Sequence, residues 1–317
     1  MQRKDPKKGE NMEERTESLV KNNTAGNSDS ISRACLDSLL FEERLIGSKE
    51  ADTSTELFGK KLTTPIMTAA LSGFERYGAE ADVNTARAVK RIGSIMWMGI
   101  SEDAAIERVA ATGVNLIEII KPYADKDIIY RKIENDKRLG LTAIGMDIDH
   151  CFDKKTGHIG SDRNGFPMEA KTVGQLREYK KACEGIPFIV KGVLSVRDAA
   201  AAAEAGADAI VISHHHNIYP YAVPPVQLLP QIRRELGDEF TIITDSNLND
   251  GYDCAKALLL GSDGVCIGRA LLLQITKGGE DGIYNLLSEM TDQLRCILSR
   301  TGTASLKGKD PGVIHRK

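Results

Sequence analysis

Several short apolar runs end on groups able to do chemistry: Val190-Lys191-Gly192, Ser213-His214-His215-His216, Asp245, and Gly268-Arg269. A histidine partnered by a carboxylate can accept a hydroxyl proton near neutral pH. Glycine followed by arginine offers an anion both an approachable amide and a planar fork of donors. A strand-end lysine supplies a fixed cation, a Schiff-base amine or merely a surface charge, and the residue alone leaves these open. In isolation His215 reads more readily as a structural histidine than as a base, and a surface arginine after a structural glycine is the lesser alternative for Arg269.

Those runs recur as successive strands of a parallel barrel would, and barrel active sites collect at the C-terminal ends of the strands. Eight strands are expected, over 65–70, 94–98, 115–120, 142–147, 187–191, 209–213, 241–245 and 264–268. Between them lie helical stretches at 79–91, 102–111, 126–139, 172–183, 196–205, 225–236, 253–260 and 281–300. This alternation is the signature of repeated βα units, here a (β/α)8 TIM barrel. Ser195-x-x-Asp198 supplies a capping-box-like helix entry. The longest interval, 150–171, follows the fourth strand and is expected to overhang the pocket as a lid.

Residues 1–28 are rich in Lys, Glu, Asn and Ser and are expected to form a disordered leader, with the barrel domain spanning 29–317. The 317 residues, 41% hydrophobic, can fill one large core. A net charge of −3 and only 5% aromatics argue against a nucleic-acid partner. No apolar run approaches the roughly 18 residues of a membrane span, so no membrane partner is expected. Six scattered cysteines lack metal-finger spacing and suit a cytoplasmic, reducing setting. The His214–His216 triplet, with Asp149, His150 or Cys151, invites a metal reading. Adjacent strand residues face opposite ways, however, and no metal is expected.

Longer phrases carry a resemblance. The segments from Ser54 to Met67, Asn84 to Ala88, Val190 to Leu194, Ala205 to Ser213 and Lys256 to Arg269 resemble the FMN-dependent α-hydroxy-acid oxidases and dehydrogenases. The likeness runs from about Ser32 to His315. It implies FMN as cofactor and hydride transfer from a hydroxyl-bearing carbon of a small molecule. It implies His215 as base, Asp149 as its partner, and Lys191 as the cation beside the reduced flavin. It further implies Ala69, Ala70, Ser213, Asp245, Ser246, Asn247, Gly268 and Arg269 as cofactor-binding residues, and a homo-oligomer, often a tetramer.

The departures bear on substrate. Ile218 stands where the family places a carboxylate-binding arginine, and Glu118 and Ile120 where it places glutamine and tyrosine. Asn249 replaces a phosphate-contacting arginine, and Ser246 and Asn247 replace two glycines. These changes predict an atypical substrate, with Lys154, Lys155 or Arg163 on the long loop as replacement cations. The alternatives are a divergent barrel that binds flavin or regulates without oxidising hydroxy acids, and a lyase or isomerase using Lys191 and His215.

Overall fold

The computed structural model describes residues 26–317, and residues 1–25, with most of the expected leader, lie outside them. All eight expected strands form: β1 (Ile66–Thr68), β2 (Ile95–Met98), β3 (Asn115–Ile120), β4 (Ala143–Asp147), β5 (Phe188–Val193), β6 (Ala209–Ile212), β7 (Thr241–Thr244) and β8 (Gly264–Ile267). They pair in parallel in the order β1-β8-β7-β6-β5-β4-β3-β2. The remaining seam closes through a Leu71–Met98 bridge, with Thr68 Oγ1 accepting from the Trp97 amide.

Strand periodicity divides the apolar residues into two layers. Met67, Ile95, Trp97, Ile117, Ile119, Ala143, Ile189, Val211, Ile243 and Cys266 fill the interior. The alternate residues, including Ile120, Ile144, Met146, Val190, Ile210 and Ile212, pack outward beneath the helices. Leu57 and Leu62, on a hairpin of Thr55–Leu57 and Lys60–Leu62, join the interior cluster. Continuing the inward phase toward the C-terminal mouth reaches Lys121, Asp147, Lys191, Ser213 and Asp245. Barrel geometry therefore places polar groups from five strands around one opening.

Two further elements matter for the mouth. The helix Ser28–Asp37 begins just after Asn27, whose side chain accepts from the Asp29 and Ser30 amides as an N-cap. Ser28, at the expected end of the leader, is fully buried and donates to the Tyr219 carbonyl. The loop 150–171 is folded into small turns by Phe152–Ile159, Ser161–Pro167 and Tyr123–Met168 bridges. Asp153 and Asp162 accept backbone amides within those turns.

Candidate active site

Asp147, Lys191 and Lys121 form the floor of the site. Lys121 contacts Asp147 Oδ2, while Lys191 Nζ lies 3.2 Å from Asp147 Oδ1 and 3.7 Å from Asp245 Oδ2. All four are buried. Burial alone would raise the Asp147 carboxyl, but the two ammonium groups outweigh it and hold the group ionised. Burial would likewise lower Lys191, yet Asp147 and Asp245 keep it well above the ordinary lysine range and fully charged.

His215 stands above this floor. Its Nδ1 lies 3.1 Å from Lys191 Nζ and 3.2 Å from Asp149 Oδ2. Burial first, then Lys191, lowers its pKa to about 4 against the pull of Asp149 and Asp147. The ring is therefore neutral near pH 7. Asp149 Oδ1 contacts His150 Nδ1 at 2.8 Å. Burial opposes ionisation of Asp149, but the neighbouring histidines and Lys191 keep its carboxyl well below the usual range. With His215 neutral, that stabilisation comes from the His150 contact and the Lys191 ammonium rather than from an imidazolium. Gly192, at φ +90°, makes room for this carboxylate: a Cβ there would stand 2.5 Å from Asp149 Cγ.

The backbone after β6 turns through three consecutive residues of positive φ, His215 (45°), His216 (57°) and Asn217 (59°). Ser246 (77°) and Asn247 (65°) do the same after β7. Non-glycine residues in this region cost about 1 kcal/mol or more each, so other contacts must hold them. Here backbone and side-chain groups of the N-terminal helix hold three of the five. Asn217 Oδ1 accepts from the Ser28 amide at 2.8 Å, and His216 Nδ1 meets Asp29 Oδ2 at 2.8 Å. Asn247 Nδ2 donates to the Asp29 carbonyl at 2.7 Å. His214 turns away from the pocket to Ser32, its Nε2 2.8 Å from Oγ.

A cavity of about 330 Å³ runs from Lys191 and His215 to the other end of the site at Gly268 and Arg269. Ala69, Ala70, Asp245, Ser246, Asn247 and Asn249 also line it. Arg269 Nη2 donates to Asn247 Oδ1 at 2.9 Å and to Asp29 Oδ1 at 2.8 Å. Nine of the eleven expected site residues thus line one cavity. Ser213 lies beneath His215, its Oγ accepting that residue's amide at 3.0 Å, and Asp149 stands behind the imidazole.

Other expectations are corrected. Glu118 and Ile120 do not face the mouth: they lie in the outward phase of β3, where Glu118 pairs with Lys132 at 2.8 Å and Ile120 enters the outer core. The inward residue at that strand end is Lys121. Ile218 lines a separate shallow depression with Lys154, Lys155 and Tyr219, because the left-handed turn carries the chain away from the cavity. Arg163 pairs with Glu75 at an exposed edge. None of the three loop cations reaches the cavity lining. Asp147, Asp149, His150 and His215 do bring potential metal-ligand atoms within 4.8 Å of one another. The Lys191 ammonium, though, sits among those same atoms and supplies the positive charge there.

Asp147, Lys121 and Asp29 were missed as site residues, and His150 was considered only as a metal ligand. The first two carry the same signal as Lys191, since each sits at or just beyond the end of an apolar strand. Asp29 had no local signal, because its partners lie more than 180 positions away.

Comparisons with known proteins agree with this geometry. The description of the FMN-dependent dehydrogenase family matches residues 16–181 and 163–316. Glycolate oxidase of Spinacia oleracea is 26% identical over 303 residues, covering 85% of this chain and 82% of that protein. L-lactate oxidase of Lactobacillus jensenii is 26% identical over 283 residues, covering 80% and 69% respectively. A mandelate oxidase variant carrying a monooxide FMN adduct superposes with a TM-score of 0.84 at 21% identity, covering 96% of both chains. That structural likeness establishes the fold. No helix among the described residues is long and apolar enough to cross a membrane. With the family match spanning nearly the whole chain, the protein belongs to the FMN-dependent dehydrogenases, oxidoreductases that act on the CH–OH group of 2-hydroxy acids.

Proposed function

We propose that this chain oxidises a small 2-hydroxy acid or a closely related alcohol of atypical structure, with His215 as the base. The observation that carries this is the position of His215 Nδ1 between Lys191 and Asp149, in a cavity that continues to Arg269. The donor set fits FMN: a charged Lys191 at one end, a guanidinium with positive-φ backbone at the other, and the small side chains Ala69 and Ala70 between them. When bound there, FMN supplies the acceptor for the hydride that leaves the substrate carbon.

The chain's own residues manage the proton and the charge. Beside the charged Lys191, Nδ1 of the neutral ring accepts at 3.1 Å; when the Nδ1–H tautomer forms, that N–H has Asp149 Oδ2 3.2 Å away, and Nε2 is left free to take the substrate hydroxyl proton. Asp149 then stabilises the imidazolium, and Gly192 lets the carboxylate sit close enough to do so. Lys191, locked by Asp147 and Asp245, presents a preorganised cation toward negative charge that develops in the pocket. Ser213 fixes the His215 backbone, while Gly268, Arg269, Ser246 and Asn247 receive the phosphate end.

A Schiff-base lyase using Lys191 is disfavoured, because an ammonium held charged by two carboxylates has no lone pair for a carbonyl. The six cysteines are unpaired, which supports a cytoplasmic setting. Exposed Leu40, Leu45 and Ile46 offer an apolar contact surface that supports a homo-oligomer. The test is anaerobic reduction: protein reconstituted with FMN and mixed with a panel of 2-hydroxy acids should bleach with at least one, and His215→Asn should abolish the bleaching. Protein that binds FMN but is reduced by none of the panel would refute the reading.

A further inference from the structure

The guanidinium at the phosphate end of the cavity already has an anionic partner behind the cavity lining. Among the described residues Arg269 is the only arginine or lysine lining that end, and its Nη2 is 2.8 Å from Asp29 Oδ1. The other Asp29 oxygen meets His216 Nδ1 at 2.8 Å, so one carboxylate spans two groups otherwise suited to an incoming phosphate. Asp29 is nearly buried and well ordered by its surroundings: Asn27 caps its amide, and Asn247 holds its carbonyl. The helix carrying it is clamped at two further points. Ser32 meets His214, and Arg33 forms a two-pronged pair with Asp253, which also accepts the Asn249 amide.

At Asn249 no second guanidinium compensates. The formal charge of the phosphate end, Arg269 with Asp29, is therefore zero before any ligand arrives. A phosphate dianion must displace the Asp29 carboxylate from Arg269 or bind beside it, and either route forfeits attraction that an unopposed arginine would give. The ribityl and ring portions of a flavin encounter no such opposition.

We infer that Asp29 is a specificity-determining residue that neutralises Arg269 from behind the cavity lining and lowers the preference for phosphorylated over unphosphorylated flavin. The inference rests on the flavin reading of the cavity. It makes the N-terminal helix part of the cofactor site: phosphate binding and docking of this helix compete for the same guanidinium. A relationship of that kind is reciprocal, so flavin phosphate also loosens the helix.

Titration of apoprotein with FMN and separately with riboflavin, read by quenching of flavin fluorescence, tests this directly. The wild type should hold the two flavins with affinities within about threefold. Asp29→Asn should tighten FMN by at least about tenfold and leave riboflavin unchanged, because only the phosphate senses the lost charge. Asp29→Glu, which keeps the carboxylate, should retain the weak discrimination. The inference is overturned if Asp29→Asn weakens FMN or leaves it unchanged, if it strengthens both flavins equally, or if Asp29→Glu behaves like Asp29→Asn. Failure of the wild type and of both variants to bind either flavin would overturn the flavin reading itself, and this inference with it.

Discussion

Replacing Lys191 with methionine removes a buried charge while keeping most of the side-chain volume, and His215 should report the change. In the wild type, Lys191 Nζ lies 3.1 Å and Asp149 Oδ2 3.2 Å from the same imidazole nitrogen. With an effective dielectric of about 20, each such pair is worth about 5 kcal/mol of opposite sign, so the two nearly cancel. Burial is then the decisive influence, and it leaves the ring near its value of about 4. Without the ammonium, Asp149 and Asp147 act on the imidazolium against burial and the weaker influence of Lys121. The pKa of His215 should rise by about 2.5 units or more, or about 3 kcal/mol, to or above the ordinary 6.5. The assay is an NMR titration of histidine-labelled protein, since the chain contains only six histidines and His215→Gln assigns the signal. It requires no turnover, so loss of flavin in the variant does not obscure it. If His215 in Lys191→Met still titrates at about 4 or below, the Lys191 charge is not acting on the imidazole and the proposed proton economy is wrong.

The same histidine makes stability depend on pH. Its folded pKa lies below its ordinary value, so its contribution is present above about 6.5 and is lost as pH falls through about 4, some 3 kcal/mol in all. Denaturant melts across that window should show the loss, and His215→Gln should flatten it. Asp147 and Asp149, held below the ordinary 3.8, withdraw their contributions only at still lower pH. Asp149→Asn should lower the rate of flavin reduction by about 100-fold or more, because the imidazolium loses its counter-charge, while FMN affinity, read by fluorescence, stays the same. Gly192→Ala should cost about 1–3 kcal/mol in thermal or denaturant unfolding and reduce turnover, since its methyl must enter the space of Asp149 at an unfavourable φ. Asp136, buried beside Glu118, is held protonated by burial and then by that carboxylate's charge. Its folded pKa is raised, so stability present below about 3.8 is lost as pH rises. Asp136→Asn should therefore be more stable than wild type at pH 8, with a smaller difference at pH 5.

The inward or outward phase of each strand explains what was legible in the sequence and what was not. Eight apolar runs with intervening helices fixed the barrel, and strand-end Lys191 and Asp245 could be assigned to the mouth because a period of two leaves little choice of face. The same period places Asp147 and Asp149 together, and puts Lys121 rather than Ile120 at the mouth. Matching letters to a family phrase instead selected Glu118 and Ile120, which the pleat directs outward. What could not be read locally were long-range substitutions of function. His216, Asn217, Ser246 and Asn247 occupy positions where glycines would carry positive φ without strain. Three of the four, His216, Asn217 and Asn247, are held by Asp29 or Ser28 from a helix more than 180 residues away. Asp29 thus joins both left-handed turns to Arg269 in one network. Polar side chains at those turns find partners on the N-terminal helix, and the carboxylate that completes the network also pairs with the guanidinium.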